Sequence, residues 1–242
     1  MGGALTHRIG AGAAPPSTDP NFSNVVLLAQ FNESNGATTF TDASASAHTL
    51  TGSNGAATST TSPPSFQSTA LALDGTNDIV SIADSADWNF STGDFTVEYF
   101  GFQTVSPAGS YGVLCQFGST DKGWAFFETS SDYQFVYSTD GTTNITLSDP
   151  HALGTSWQHR LVSRVGNTLY LGLNGTILQH KDVTGVTFRN SARPLVVGGN
   201  TDGTTALAHV RIAGLRITKG VGRYSGSDGA AYTVPAQPYP TS

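Results

Sequence analysis

Apolar residues in this chain recur with a period of two over short runs, and the runs are separated by polar stretches dense in glycine, asparagine and aspartate. The clearest run is Phe95-Thr96-Val97-Glu98-Tyr99, which puts Phe95, Val97 and Tyr99 on one face of a strand and Thr96 and Glu98 on the other. One face of that strand is therefore expected to be buried. Leu169, Leu171 and Leu173 share a face in the same way, opposite Tyr170 and Gly172. Val25 to Phe31 is almost continuously apolar, which suits a central strand. Further strands are predicted over residues 71–73, 79–82, 113–117, 124–128, 134–137, 145–147, 160–165, 176–180, 195–197 and 210–218. Turn signals fall between most of them, among them Asp74-Gly75 and Asn174-Gly175; an Asn-Gly pair accepts the positive φ angles that a two-residue type I′ hairpin needs. Residues 32–65 read as a long loop with short edge strands, interrupted by Pro63-Pro64. Short strands at this spacing describe an all-β sandwich or jelly roll.

A length of 242 residues suits one large β domain, and a charged fraction of 12% with 28 glycines fits many strands joined by tight turns. The formal net charge of −6 removes the electrostatic attraction on which nucleic-acid binding depends. The one cysteine, Cys115, excludes an internal disulfide and a thiolate metal cluster, and its apolar neighbours predict a buried, inert thiol. No signal peptide is evident, and no apolar stretch approaches the roughly 18 residues that cross a bilayer, so membrane insertion is not expected. Residues 1–22 form a Gly-, Ala- and Pro-rich arm that cannot bury enough apolar surface to order itself, and residues 23–242 form the sandwich. The arm is expected to be held by a partner, with Leu5, His7, Arg8, Ile9, Pro15 and Pro16 as its candidate anchoring residues.

Several blocks carry a resemblance. Ala70-Leu71-Ala72-Leu73-Asp74-Gly75-Thr76-Asn77-Asp78-Ile79-Val80, Gly93-Asp94-Phe95-Thr96-Val97-Glu98-Tyr99-Phe100, the stretch from Trp157 through Asn174-Gly175, and Leu215-Arg216-Ile217-Thr218-Lys219-Gly220-Val221-Gly222-Arg223-Tyr224 with its proline-rich ending follow one another in order. Together they resemble the laminin-G-like, concanavalin A-like lectin domains common in bacteriophage structural proteins. Gln158, Asn174 and Gly101 depart from the residues that family prefers, without breaking a turn or strand. The resemblance implies a two-sheet antiparallel jelly-roll sandwich with an extended N-terminal arm. It also implies a virion location: a capsid decoration, fibre or tail-associated adhesion module, present in multiple copies or as a homo-oligomer. Such a module is anchored to other virion proteins and contacts host glycans; the alternative is a free carbohydrate-binding lectin.

The residues limit the chemistry. Three glutamates, Glu33, Glu98 and Glu128, form none of the paired spacings of glycanases on this fold, and an enzyme is not expected. Six histidines, including His7 and His151, are scattered without zinc-site spacing. No cofactor is called for; calcium is weighed because acidic residues crowd the segment holding Asp74 and Asp78, its candidate ligands. Trp124 and Phe126 share one strand face, and Tyr133, Phe135 and Tyr137 share a face of the next, so Trp124, Phe126, Tyr133 and Tyr137 are the candidate sugar-stacking residues. Core packing produces the same alternation.

Overall fold

The computed structural model describes residues 18–104, 110–150, 156–202, 205 and 207–242. The candidate anchoring residues Leu5, His7, Arg8, Ile9, Pro15 and Pro16, and His151, lie outside the described residues. The described strands are β1 (Val25–Ala29), β2 (Thr39–Phe40), β3 (Leu50–Ser53), β4 (Ala57–Ser59), β5 (Ala70–Ala72), β6 (Ile79–Ile82), β7 (Phe95–Gln103), β8 (Tyr111–Phe117), β9 (Lys122–Glu128), β10 (Tyr133–Tyr137), β11 (Ile145–Asp149), β12 (Gln158–Val165), β13 (Thr168–Leu173), β14 (Thr176–Asp182), β15 (Leu195–Val197) and β16 (Val210–Lys219). Residues 32–65, read as a long loop with short edge strands, supply three short strands: β2, β3 and β4.

The strands form two antiparallel sheets stacked as a jelly-roll sandwich. The first sheet runs β14-β13-β12-β7-β16-β5-β4, and the second β11-β10-β9-β8-β15-β6-β3-β2. The far edge of β16 is shared, with β5 beside Arg211 and Ile212, and β1 beside Leu215 to Thr218. The hairpin between β13 and β14 closes at Asn174 (φ 47°) and Gly175 (φ 90°), both left-handed, as the Asn-Gly pair predicts.

Between the sheets lies one apolar core, in which Phe95, Val97 and Tyr99 of the first sheet face Trp124, Phe126, Tyr133, Phe135 and Tyr137 of the second. Cys115 packs with Phe117, Ala125 and Val136 in a separate apolar cluster; it is fully buried, which pushes its thiol pKa up.

β7 differs from the alternation read in the sequence, because all of its first seven residues are buried, Thr96 and Glu98 included. The physical reason is a second layer: residues after β16 return across the outer face of the first sheet. Tyr239 there packs into a cluster with Val25, Leu28, Ala70, Phe100 and Ala213. Residues 221–241 thus act as a strap, fastened to β14 where Ile177 N–H donates to the Ala230 carbonyl (2.8 Å) and Tyr232 N–H to the Gly175 carbonyl (2.7 Å). Asp19 is only 8% exposed and Phe22 packs on the outer cluster, both within the span read as arm.

Candidate functional site

β7, β12 and β16 lie side by side, and their antiparallel register sets Glu98, His159 and Arg216 on the outer face of the first sheet. The strap closes over them, so each must find its partners within the protein. Arg216 donates from Nε to Glu98 Oε1 at 2.9 Å, and its Nη2 lies 2.8 Å from the same oxygen. Glu98 Oε2 accepts from Tyr224 Oη at 2.8 Å and sits 3.0 Å from His159 Nε2. The other ring nitrogen of His159 lies 2.9 Å from the Tyr232 hydroxyl. Burial by itself would raise the Glu98 pKa, but the Arg216 charge and the His159 hydrogen bond outweigh it and hold the carboxyl at about 2.

A second layer of charge continues from Arg216. Its Nη1 donates to Asp19 Oδ2 at 2.9 Å, while Arg223 donates from Nη1 to Asp19 Oδ1 at 3.0 Å and from Nη2 to Oδ2 at 2.8 Å. Arg223 also donates from Nε to Thr218 Oγ1 at 2.7 Å. Burial pushes the Asp19 pKa up, yet the hydrogen bonds from Arg223 and Asn21 and the charges of both arginines bring it below the usual value. Asp19 N–H donates to the Ser242 carbonyl at 2.7 Å, so one residue ties the start of the sandwich to β16, to the strap and to the last residue of the sequence.

Above this network opens a cleft of about 540 Å³, with Asp19, Arg216, Arg223 and Tyr224 contributing polar groups and Pro20, Val234, Pro235 and Pro240 apolar ones. Its volume is that of a small-ligand site. The sequence carried two signals for the network: a glutamate inside the apolar run of β7 and an arginine inside that of β16, both on the face away from the core. Asp19 and Arg223 stood in no periodic segment and gave no such signal.

The proposed aromatic platform is corrected. Trp124, Phe126, Tyr133 and Tyr137 are 0–1% exposed and belong to the core between the sheets. Trp124 Nε1 donates to the Trp88 carbonyl and Tyr133 Oη to the Leu161 carbonyl, each at 3.1 Å, and the Phe126 and Tyr133 rings stack at 5.7 Å. Alternation identified their common face; that face meets the other sheet instead of solvent.

Asp74 and Asp78 come together, but to close their own turn: Asp74 N–H donates to Asp78 Oδ2 at 3.1 Å, and Asp74 Oδ1 accepts from Thr76 N–H at 2.8 Å. Among the described residues no group of three or more His, Cys, Asp or Glu side chains is gathered as a metal site. Glu128 lies inside the sandwich, its Oε1 2.6 Å from Arg160 Nη1 and accepting from Tyr99 Oη at 3.3 Å. Burial pushes its pKa up to about 8 against the Arg160 charge. Glu98 and Glu128 therefore sit on opposite sides of the first sheet.

No protein-family model and no curated protein matches the sequence. Solved structures do. The binding domain of Paraclostridial Mosquitocidal Protein 1 superposes with a TM-score of 0.63 at 14% identity, covering 83% of this chain and 50% of that one. The binding domain of botulinum neurotoxin DC, in complex with rat synaptotagmin II, gives 0.62 at 13% identity over 83% of this chain and 49% of that one. The same domain in complex with SialylT gives 0.62 at 12% identity over the same shares. The chain spans about half the length of these domains, and the likeness is one of fold.

Proposed function

We propose that this chain is a non-catalytic recognition module: a jelly-roll sandwich mounted on a virion through its N-terminal segment, in several copies, and presenting its free surface to host glycans. The observation that carries this reading is the clamp at Asp19. Two arginines and the Ser242 carbonyl grip the residue at which the N-terminal segment meets the sandwich. A load applied to the preceding segment is therefore passed directly to β16, the strand flanked by β7, β5 and β1. Two further observations support recognition over catalysis. Glu98 is sealed and paired, and Glu128 faces the interior from which the strap and cleft are separated by the first sheet. The fold neighbours are binding domains, one of them in complex with a protein and one with SialylT.

Deletion of residues 1–17 tests the reading. The truncated chain is expected to keep the circular dichroism and melting temperature of the full chain and to be lost from assembled particles. Incorporation at the full-chain level overturns the virion role. The neighbour in complex with SialylT favours one second reading, a free carbohydrate-binding module. Glycan binding by the soluble monomer, together with no incorporation of the full chain, selects it.

A further inference from the structure

At one end of the outer face the described side chains are only half-buried. A row of side chains crosses the first sheet there: Trp157, immediately before β12, then Phe102 on β7, Arg211 on β16, Ala72 on β5 and Ala57 on β4. The register sets Phe102 opposite Arg211, Arg211 opposite Ala72, and Ala72 opposite Ala57, and all five residues are half-buried. We infer that this row is a binding site for an acidic saccharide, a chain of hexuronate units whose sugar faces lie on Trp157 and Phe102 and whose carboxylate meets Arg211. The inference rests on the recognition reading above and names the ligand class and the surface.

Three observations carry it. The Phe102 and Trp157 rings stack on one another, 5.7 Å apart and 28° from parallel, so each keeps one face free of the other, and a free aromatic face receives the C–H face of a sugar. Ala57 and Ala72, both small, stand on the other flank of Arg211. The third observation is Arg211 itself, which among the described residues has no ion pair or hydrogen bond and whose Nε is buried without a partner. Each of the other described arginines finds one: Arg160 on Glu128, Arg164 on the Ser91 carbonyl, Arg189 on Asp121, Arg193 on Thr120, Arg216 on Glu98 and Arg223 on Asp19. Burial pulls the Arg211 pKa down with no acid beside it to offset the cost. A half-buried, unpaired guanidinium is costly unless something supplies its acceptor. A carboxylate supplies it with two parallel hydrogen bonds in the plane of the fork.

The row also argues against a peptide. An extended peptide gains much of its affinity by adding a strand to a free edge. Here β7 is paired on both sides, with β12 and β16, and the pairings at Phe102 and Arg211 lie in mid-sheet. No backbone edge is offered between Trp157 and Ala72, so side chains alone must do the recognising.

Titration calorimetry of the full chain with a galacturonic acid tetramer, beside the matched neutral galactose tetramer, tests the site. The acidic tetramer is expected to bind at least tenfold more tightly than the neutral one. Arg211→Gln should weaken it tenfold or more, with Arg211→Lys between the two because the fork is lost and the charge kept. Ala72→Glu, which adds an acid beside Arg211 without removing a packed side chain, should abolish binding; matched melting temperatures confirm that each variant is folded. Equal affinity for both tetramers, or acidic binding that survives Arg211→Gln and Ala72→Glu, overturns the inference. An array on which only neutral glycans bind sinks the inference and leaves the recognition reading standing, whereas silence across the whole array removes the glycan reading too. Displacement of the acidic tetramer from this row by a polyglutamate peptide of higher affinity reassigns the site to peptides and also overturns it.

Discussion

Glu98 is surrounded by a guanidinium, an imidazole and a phenol, and its carboxyl is held at about 2 against an ordinary value of 4.5. A folded-state pKa below the unfolded one means that the stabilisation is fully present above about pH 4.5 and is lost as the pH falls toward 2. The full chain is therefore expected to lose stability through that window. Glu98→Gln removes the negative charge that Arg216 pairs with, and breaking a buried ion pair by removing one charge costs about 3 kcal/mol. Chemical denaturation should show that deficit at pH 7 and little difference between the two proteins near pH 2; equal stability at pH 7 contradicts the role assigned to Glu98. This residue was conspicuous in the sequence as a charge within an apolar strand. What could not be read was its set of partners, because Arg216 is 118 residues away along the chain and Tyr224 is 126. Trp124, Phe126, Tyr133 and Tyr137 show the converse limit: period-two spacing placed them on one side of their strands, but spacing does not say whether that side meets a sheet or a ligand.

At the scale of elements, strands were legible and the strap was not. β7, β13 and β16 follow from alternation and from the turns at their ends, and β16 was anticipated nearly to its limits. Residues 221–241 have no period and several prolines, so their role as the lid of a second apolar layer appears only in three dimensions. Gly222 reports how closely that lid lies, since a Cβ at this position would collide with the Arg164 carbonyl and the Val165 side chain of β12. Gly222→Ala is expected to lift the start of the strap at a cost of about 1–3 kcal/mol, the usual range for overpacking. Limited proteolysis should then cut first between residues 221 and 241 while the sandwich core persists. Unchanged protection of that segment would show that the strap does not bear on β12 as described.

In the proposed reading the whole molecule divides one sheet face between two tasks. The Asp19 clamp and its cleft lie beside Thr96 of β7 and Arg216 of β16, whereas the aromatic and arginine row lies at Phe102 and Arg211 of the same strands. Between Glu98, paired with Arg216, and Phe102, paired with Arg211, β7 advances four residues, which at ~3.3 Å per residue is roughly 13 Å. In the proposed reading one end holds the assembly while the other receives the ligand. The sandwich architecture was readable from turn spacing and block order; the division of its outer face was not, because it depends on where an aperiodic tail stops covering a sheet. Hydroxyl-radical footprinting of the full chain, free and in assembled particles, tests the division most directly. Protection on assembly is predicted at residues 18–24 and 221–224, with Phe102 and Trp157 labelled equally in both states. Protection of Phe102 and Trp157, with the residues around Asp19 left exposed, would contradict it.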